Sequence, residues 1–103
     1  MKKYKAKINI SGFPQKILDV DGEPIAIQGK EYISLFIYQL SIVSFGNKTI
    51  LIKDKWHIAE ETSGMPISSG QTKEAAISFA TAKLNRYSKE KILEQIEKYK
   101  INR

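Results

Sequence analysis

Up to Gly70 the apolar residues of this 103-residue chain recur at every second position or gather in short runs; beyond it they recur at every third and fourth. The first rhythm belongs to strands and the second to helices. A single change of period narrows the architecture more than any motif does. It predicts strands first and helices last: one α+β domain spanning 1–103, an antiparallel sheet of about five strands followed by one or two C-terminal helices packed on one face.

The clearest strand is "KYKAKINI", 3–10, with Lys3, Lys5 and Lys7 on one side and Tyr4, Ala6, Ile8 and Ile10 on the other. That pattern reads as a half-buried strand with a basic outer face. After "SGFPQ", the segments 16–20 and 24–28 flank Asp21-Gly22, a dipeptide that commonly closes a two-residue hairpin. Gly29-Lys30 marks the next break. Residues 31–45 carry apolar side chains at both parities, as in a strand buried on both faces or a short helix. Their Ile, Phe, Tyr and Val content favours a strand, bulged near Gln39. Turns are expected at Gly46-Asn47, Asp54-Lys55 and Ser63-Gly64, separating "TILIK", "WHIAEE" and a short "PIS" return at 66–68.

Past Gly70, Thr72 is placed to cap a helix carrying Ile77, Ala80, Leu84 and Tyr87. Ser88 is placed to cap a second, with Ile92, Leu93, Ile96 and Tyr99, and Tyr87 and Ile92 fall at the positions of a hydrophobic staple. One bent helix is the alternative. Tyr4 is expected to face the core, and Trp56, on the face of Ile58, to be buried rather than displayed.

Composition removes whole classes of chemistry. Without cysteine there are no disulfides, thiol nucleophiles or thiolate metal sites, a usage that fits a reducing cytoplasm. Met1-Lys2-Lys3 opens onto Tyr4-Lys5-Ala6-Lys7 with no apolar leader, and Tyr32 to Phe45 is broken by polar residues and too short for a bilayer, so a soluble protein with no membrane partner is expected. His57, the one histidine, lies about 13 Å along a strand from Glu61, too far for a proton relay. Asp19 and Asp21 share a strand face and are a conceivable metal pair, yet Asp21-Gly22 is needed as the hairpin turn and the sequence places no third carboxylate beside them. An EF-hand fails on Pro24 and the glycine offset, and no P-loop or G-x-G-x-x-G occurs. The expectation is a protein that is not an enzyme and needs no metal or cofactor.

Seventeen Lys/Arg against eleven Asp/Glu leave a net charge of +6, which favours encounter with polyanions. The basic residues gather at the ends: Lys2, Lys3, Lys5 and Lys7 at one, Lys98, Lys100 and Arg103 at the other. Tyr32, Phe36 and Tyr38 fall on one parity, a row that could stack bases but that inside an apolar run more often builds core.

Gly70, Thr72, Lys73, Ala76 and Ala80 form a G-x-T-K-x-x-A-x-x-x-A pattern. Glycine ends the strand with a free φ, threonine caps, and the alanines let a helix approach the sheet; Lys73 beside open amides suits phosphate. The pattern resembles the last strand and second helix of double-stranded-RNA-binding domains and the partial version of that fold in HicB-like antitoxins. It departs in having Glu74 after a lone Lys73, where those RNA-binding domains carry a lysine cluster. With the preceding W-h-I-x-E-x-x-S-G, from Trp56 to Gly64, the stretch also looks like small phage and cassette-element proteins, among them the small partner subunits of A-family-like primase–polymerases. That likeness implies a non-catalytic accessory that docks on a larger nucleic-acid-processing enzyme. The expected interface is Lys3, Lys5, Lys7, Lys73, Lys98, Lys100 and Arg103 on single-stranded DNA or RNA backbone. The alternative is a protein-only binder such as a HicB-like antitoxin or an inhibitor of a defence enzyme.

Overall fold

The computed structural model describes residues 2–8, 16–45 and 48–101, with side chains for all of these except 16, 41–45 and 48–54. Five strands, β1 (Lys2–Ile8), β2 (Lys16–Ile25), β3 (Leu35–Phe45), β4 (Lys48–Glu60) and β5 (Pro66–Gly70), are followed by helices α1 (Lys73–Leu84) and α2 (Lys89–Lys98). The strands pair antiparallel in sequence order, β1-β2-β3-β4-β5. The expected α+β arrangement is what the chain adopts, with two helices rather than one bent one. Among the described residues no helix is long and apolar enough to cross a membrane.

Each face of the sheet carries its own core. One holds Leu35, Ile37 and Ile58 under Ala76, Ala80, Leu84 and Ile92 of the helices. The other holds Tyr4, Ala6, Val20, Phe36, Tyr38 and Ala59. No helix contributes to this second cluster, yet Phe36 is fully buried. The sheet achieves this by coiling: the Lys7 amide donates to the Gly64 carbonyl at 2.9 Å, tying β1 to the turn between β4 and β5. Alternation in β1 follows the sequence reading, with Tyr4 and Ala6 buried and Lys3 and Lys5 exposed; Ile10 lies outside the described residues. The ladder between β3 and β4 shifts register between Gln39 and Ser41, where the bulge was expected.

Two expected turns do not form. Asp21-Gly22 is not a hairpin: β2 runs through it, with Asp21 opposite Lys3 and Gly22 opposite Lys2. Glycine serves a steric need there, because a Cβ at Gly22 would lie 3.0 Å from Tyr4 Cδ2 and 3.1 Å from the Ile37 carbonyl. It leaves room for the Tyr4 and Phe36 rings, stacked at 4.3 Å between centroids and 4° between planes. Asp54-Lys55 likewise lies inside β4. The expected turn at Gly46-Asn47 falls outside the described residues.

Gly70 ends β5 as expected, but for a different reason: among the described glycines only Gly29 and Gly64 have positive φ. A Cβ at Gly70 would come within 2.7 Å of the Ala76 amide nitrogen, so the glycine admits close docking of α1. Thr72 caps α1 by accepting from the Ala75 amide at 3.1 Å, and Ser68 Oγ donates to the Ala76 carbonyl at 2.7 Å. Ser88 caps α2 by accepting from Lys91 N at 3.2 Å.

Candidate functional site

The turn after β4 organises the molecule's two ends. Glu60 is 1% exposed, and its carboxylate accepts from Thr62 N, Ser63 N and Ser63 Oγ at 2.8, 2.7 and 2.8 Å. Ser63 Oγ in turn accepts from Met65 N at 3.1 Å. With every oxygen engaged, the buried carboxylate is satisfied and the turn is rigid. Gly64 sits at φ +68, and a Cβ there would lie 2.9 Å from the Lys5 carbonyl and 2.8 Å from Ile101 Cδ1. The turn receives the Lys7 amide on Gly64 and the Ile101 amide on the Thr62 carbonyl, the latter at 3.1 Å. Ser63-Gly64 is therefore a clip that places β1 beside the segment following α2.

Beside this clip the two basic ends converge. Lys7 Nζ donates to the Tyr99 carbonyl at 2.9 Å, where α2 ends. Lys7 and Lys98 approach the Tyr99 ring to 5.6 and 5.4 Å from its centroid. Tyr99 is 42% exposed, so its ring is displayed beside two ammonium groups. Lys100 follows in the chain and is exposed; Arg103 lies outside the described residues.

The other expected phosphate ligands are placed differently. Lys3 pairs with Asp21 at 2.7 Å and Lys5 with Asp19 at 3.0 Å, directly across the β1–β2 ladder. This cross-strand pairing accounts for Asp19 and Asp21, and among the described residues no group of three or more His, Cys, Asp or Glu is placed to hold a metal ion. Lys73 stands in a separate corner, 3.4 Å from Glu23 and 4.8 Å from the centroid of the Trp56 ring. The Gly70–Lys73 corner thus docks a helix and shields an indole.

The aromatic row of β3 is core. Phe36 and Tyr38 stack at 5.6 Å, and Tyr38 and His57 at 5.2 Å, extending the Tyr4–Phe36 pair into a continuous column that is buried up to the half-buried His57. Tyr32 turns to the other face, against the helix-side core, with Lys89 over its ring. Burial pushes the Tyr38 hydroxyl up to about 12. His57 bonds through Nε2 to the Leu40 carbonyl. Burial holds its imidazole below the ordinary value, and nearby Lys55 adds to this, against the Leu40 hydrogen bond, which raises it.

A second feature escaped the sequence reading. Between β5 and the two helices lies a groove of about 400 Å³, floored by Ile33, Ile67, Leu84, Ile92 and Ile96 and edged by Tyr87, Lys83 and Lys91. Among the described residues, the side chains of Lys83, Arg86 and Lys91 form no salt bridge. The signal was present in "KLNRYSKEK", 83–91, where four basic residues face one acid. Its importance depends on the groove beside it, which no linear pattern reveals.

No known protein family, curated protein or solved structure matches this chain, so its geometry has to carry the functional reading alone.

Proposed function

We propose that this chain is a small basic, non-catalytic accessory module that binds single-stranded nucleic acid at its joined ends and works beside a larger nucleic-acid-processing protein. One observation carries the reading: Lys7 and Lys98, 91 residues apart (98 − 7), flank the same exposed tyrosine. An exposed aromatic ring beside two ammonium groups suits a strand that offers a base to stack and phosphates to neutralise. Lys100 extends the contact, with Arg103 further along the chain. Lys3 and Lys5 supply a second rank, because their ion pairs are solvent-exposed and such pairs are weak enough to yield to a phosphate. Lys73 stands apart from this interface, tied to Glu23 and Trp56.

Anisotropy titrations of labelled single-stranded and duplex oligonucleotides at low and moderate salt test the proposal. Three phosphate contacts on a single strand give a log–log salt slope of about −2. Replacing Lys7, Lys98 and Lys100 together with alanine should flatten that slope, and Tyr99→Ala should weaken binding by about 1–3 kcal/mol. Absence of binding at low salt, or an unaltered triple variant, would refute it. The second reading, a protein-only binder such as an antitoxin or inhibitor, is favoured by the apolar groove.

A further inference from the structure

We infer that the groove between β5 and α2 receives an acidic, amphipathic helical segment of a protein partner. The inference concerns a surface separate from the Lys7–Tyr99–Lys98 cluster. Three features define the occupant. First, the floor is aliphatic: Ile67, Leu84, Ile92 and Ile96 provide the apolar contact, and the one aromatic ring of the lining, Tyr87, stands at the edge, which suits a run of apolar side chains better than a row of stacked bases.

Second, the apolar surface continues past the groove. Tyr87 at its edge is 48% exposed, and Leu93, on α2 outside the lining, is 40% exposed. The helix presents Ile92, Leu93 and Ile96 along its length yet buries only Ile92. An occupant longer than a small molecule is needed to cover both the groove and the flank of α2, and a helix with apolar residues at i, i+3, i+4 and i+7 does so.

Third, the rim is cationic. Lys83 and Lys91 line the groove, and Arg86 lies in the segment joining the helices. The one acidic residue of the groove lining, Glu60, is already engaged by the Thr62 and Ser63 donors and presents no competing free acid. A segment with Glu or Asp on the side facing Lys83 and Lys91 meets lysines that have no carboxylate partner among the described residues, which selects acidic over basic residues there. Exposed Glu90, Glu94 and Glu97 of α2 ask instead for uncharged residues where the segment crosses that helix.

The test uses the full chain with labelled Ile and Leu methyl groups. Two synthetic helical peptides of about fifteen residues share one Leu spacing, one with Glu and the other with Lys at the polar positions. The Glu peptide should saturably shift the methyl signals of Ile67, Leu84, Ile92 and Ile96, and the Lys peptide should not. The double variant Lys83→Glu/Lys91→Glu, exposed and expected to fold, should weaken Glu-peptide binding about tenfold or more. The variant Lys7→Ala/Lys98→Ala should keep peptide affinity while losing oligonucleotide binding, so the two readings fail independently. The inference is overturned if neither peptide shifts these methyls or if both do so equally. It is also overturned if they respond instead to dodecanoate, to a single-stranded oligonucleotide or to protein concentration alone, outcomes that would mark a lipid, a nucleic acid or a second copy as occupant.

Discussion

Helices α1 and α2 belong to the same face and start from the same kind of hydroxyl cap, yet they are held in different ways. α1 buries Ala76, Ala80 and Leu84, drawn in by Gly70 and by the bond from Ser68 to the Ala76 carbonyl. α2 buries Ile92 alone; both helices leave apolar residues exposed, Ile77 and Phe79 on α1 and Leu93 on α2. Small side chains let backbone approach backbone and leave no void. Large ones hold a helix off the sheet unless something fills the wedge. The helix with the more pronounced apolar stripe is thus the less buried one, and the groove lies along it.

That contrast can be broken from either side. The largest effect is expected at Gly70→Ala, where the new Cβ would meet the Ala76 amide at 2.7 Å. Lifting α1 should cost about 3 kcal/mol, read as a lower urea midpoint. Gly64→Ala imposes a left-handed φ of +68 on a side chain that also strikes the Lys5 carbonyl. Calorimetry should show a loss of about 2–3 kcal/mol, with weaker oligonucleotide binding as the two ends part.

Ile92→Ala removes the one buried side chain of α2. Because the site already borders open space, the loss should sit near the bottom of the usual range, about 2 kcal/mol, and circular dichroism should find α1 intact. His57 stands on the face that neither helix touches and serves as a control. Its folded pKa is depressed, so the stability it contributes is present above the ordinary imidazole value of 6.5 and is lost as pH falls through the folded value. Acid should weaken the sheet and both helices together, and His57→Gln should flatten that part of the stability–pH curve. Leu93→Ser should change stability by less than about 0.5 kcal/mol in chemical denaturation, since the side chain already meets water. A larger loss would mean that α2 is packed more firmly than its exposure implies.

Local physics was legible in the sequence wherever one element decided it. The alternation of β1, the bulge near Gln39, and the Thr72 and Ser88 caps each depend on a few neighbouring residues. Asp21-Gly22 misled because its glycine answers to Tyr4 and Phe36, rings brought over it by tertiary packing. The basic ends were visible as runs of lysine. Their division into a neutralised pair, Lys3 and Lys5, and a group around Tyr99 follows from strand register and sheet coiling, neither of which is written locally. The groove is a property of the space between elements and had no sequence signature of its own.

The clip formed by Thr62 and Gly64 has a kinetic corollary. The amides of Lys7 and Ile101, 94 positions apart (101 − 7), are held by carbonyls two residues from each other. Each exchanges its hydrogen with solvent when its own bond to that short segment opens, and breaking the turn itself, as in Gly64→Ala, should raise deuterium uptake at both together. A strand gripping Tyr99 would then slow exchange at Lys7 as well, and the opening edge of the sheet would report occupancy at the far end of the chain.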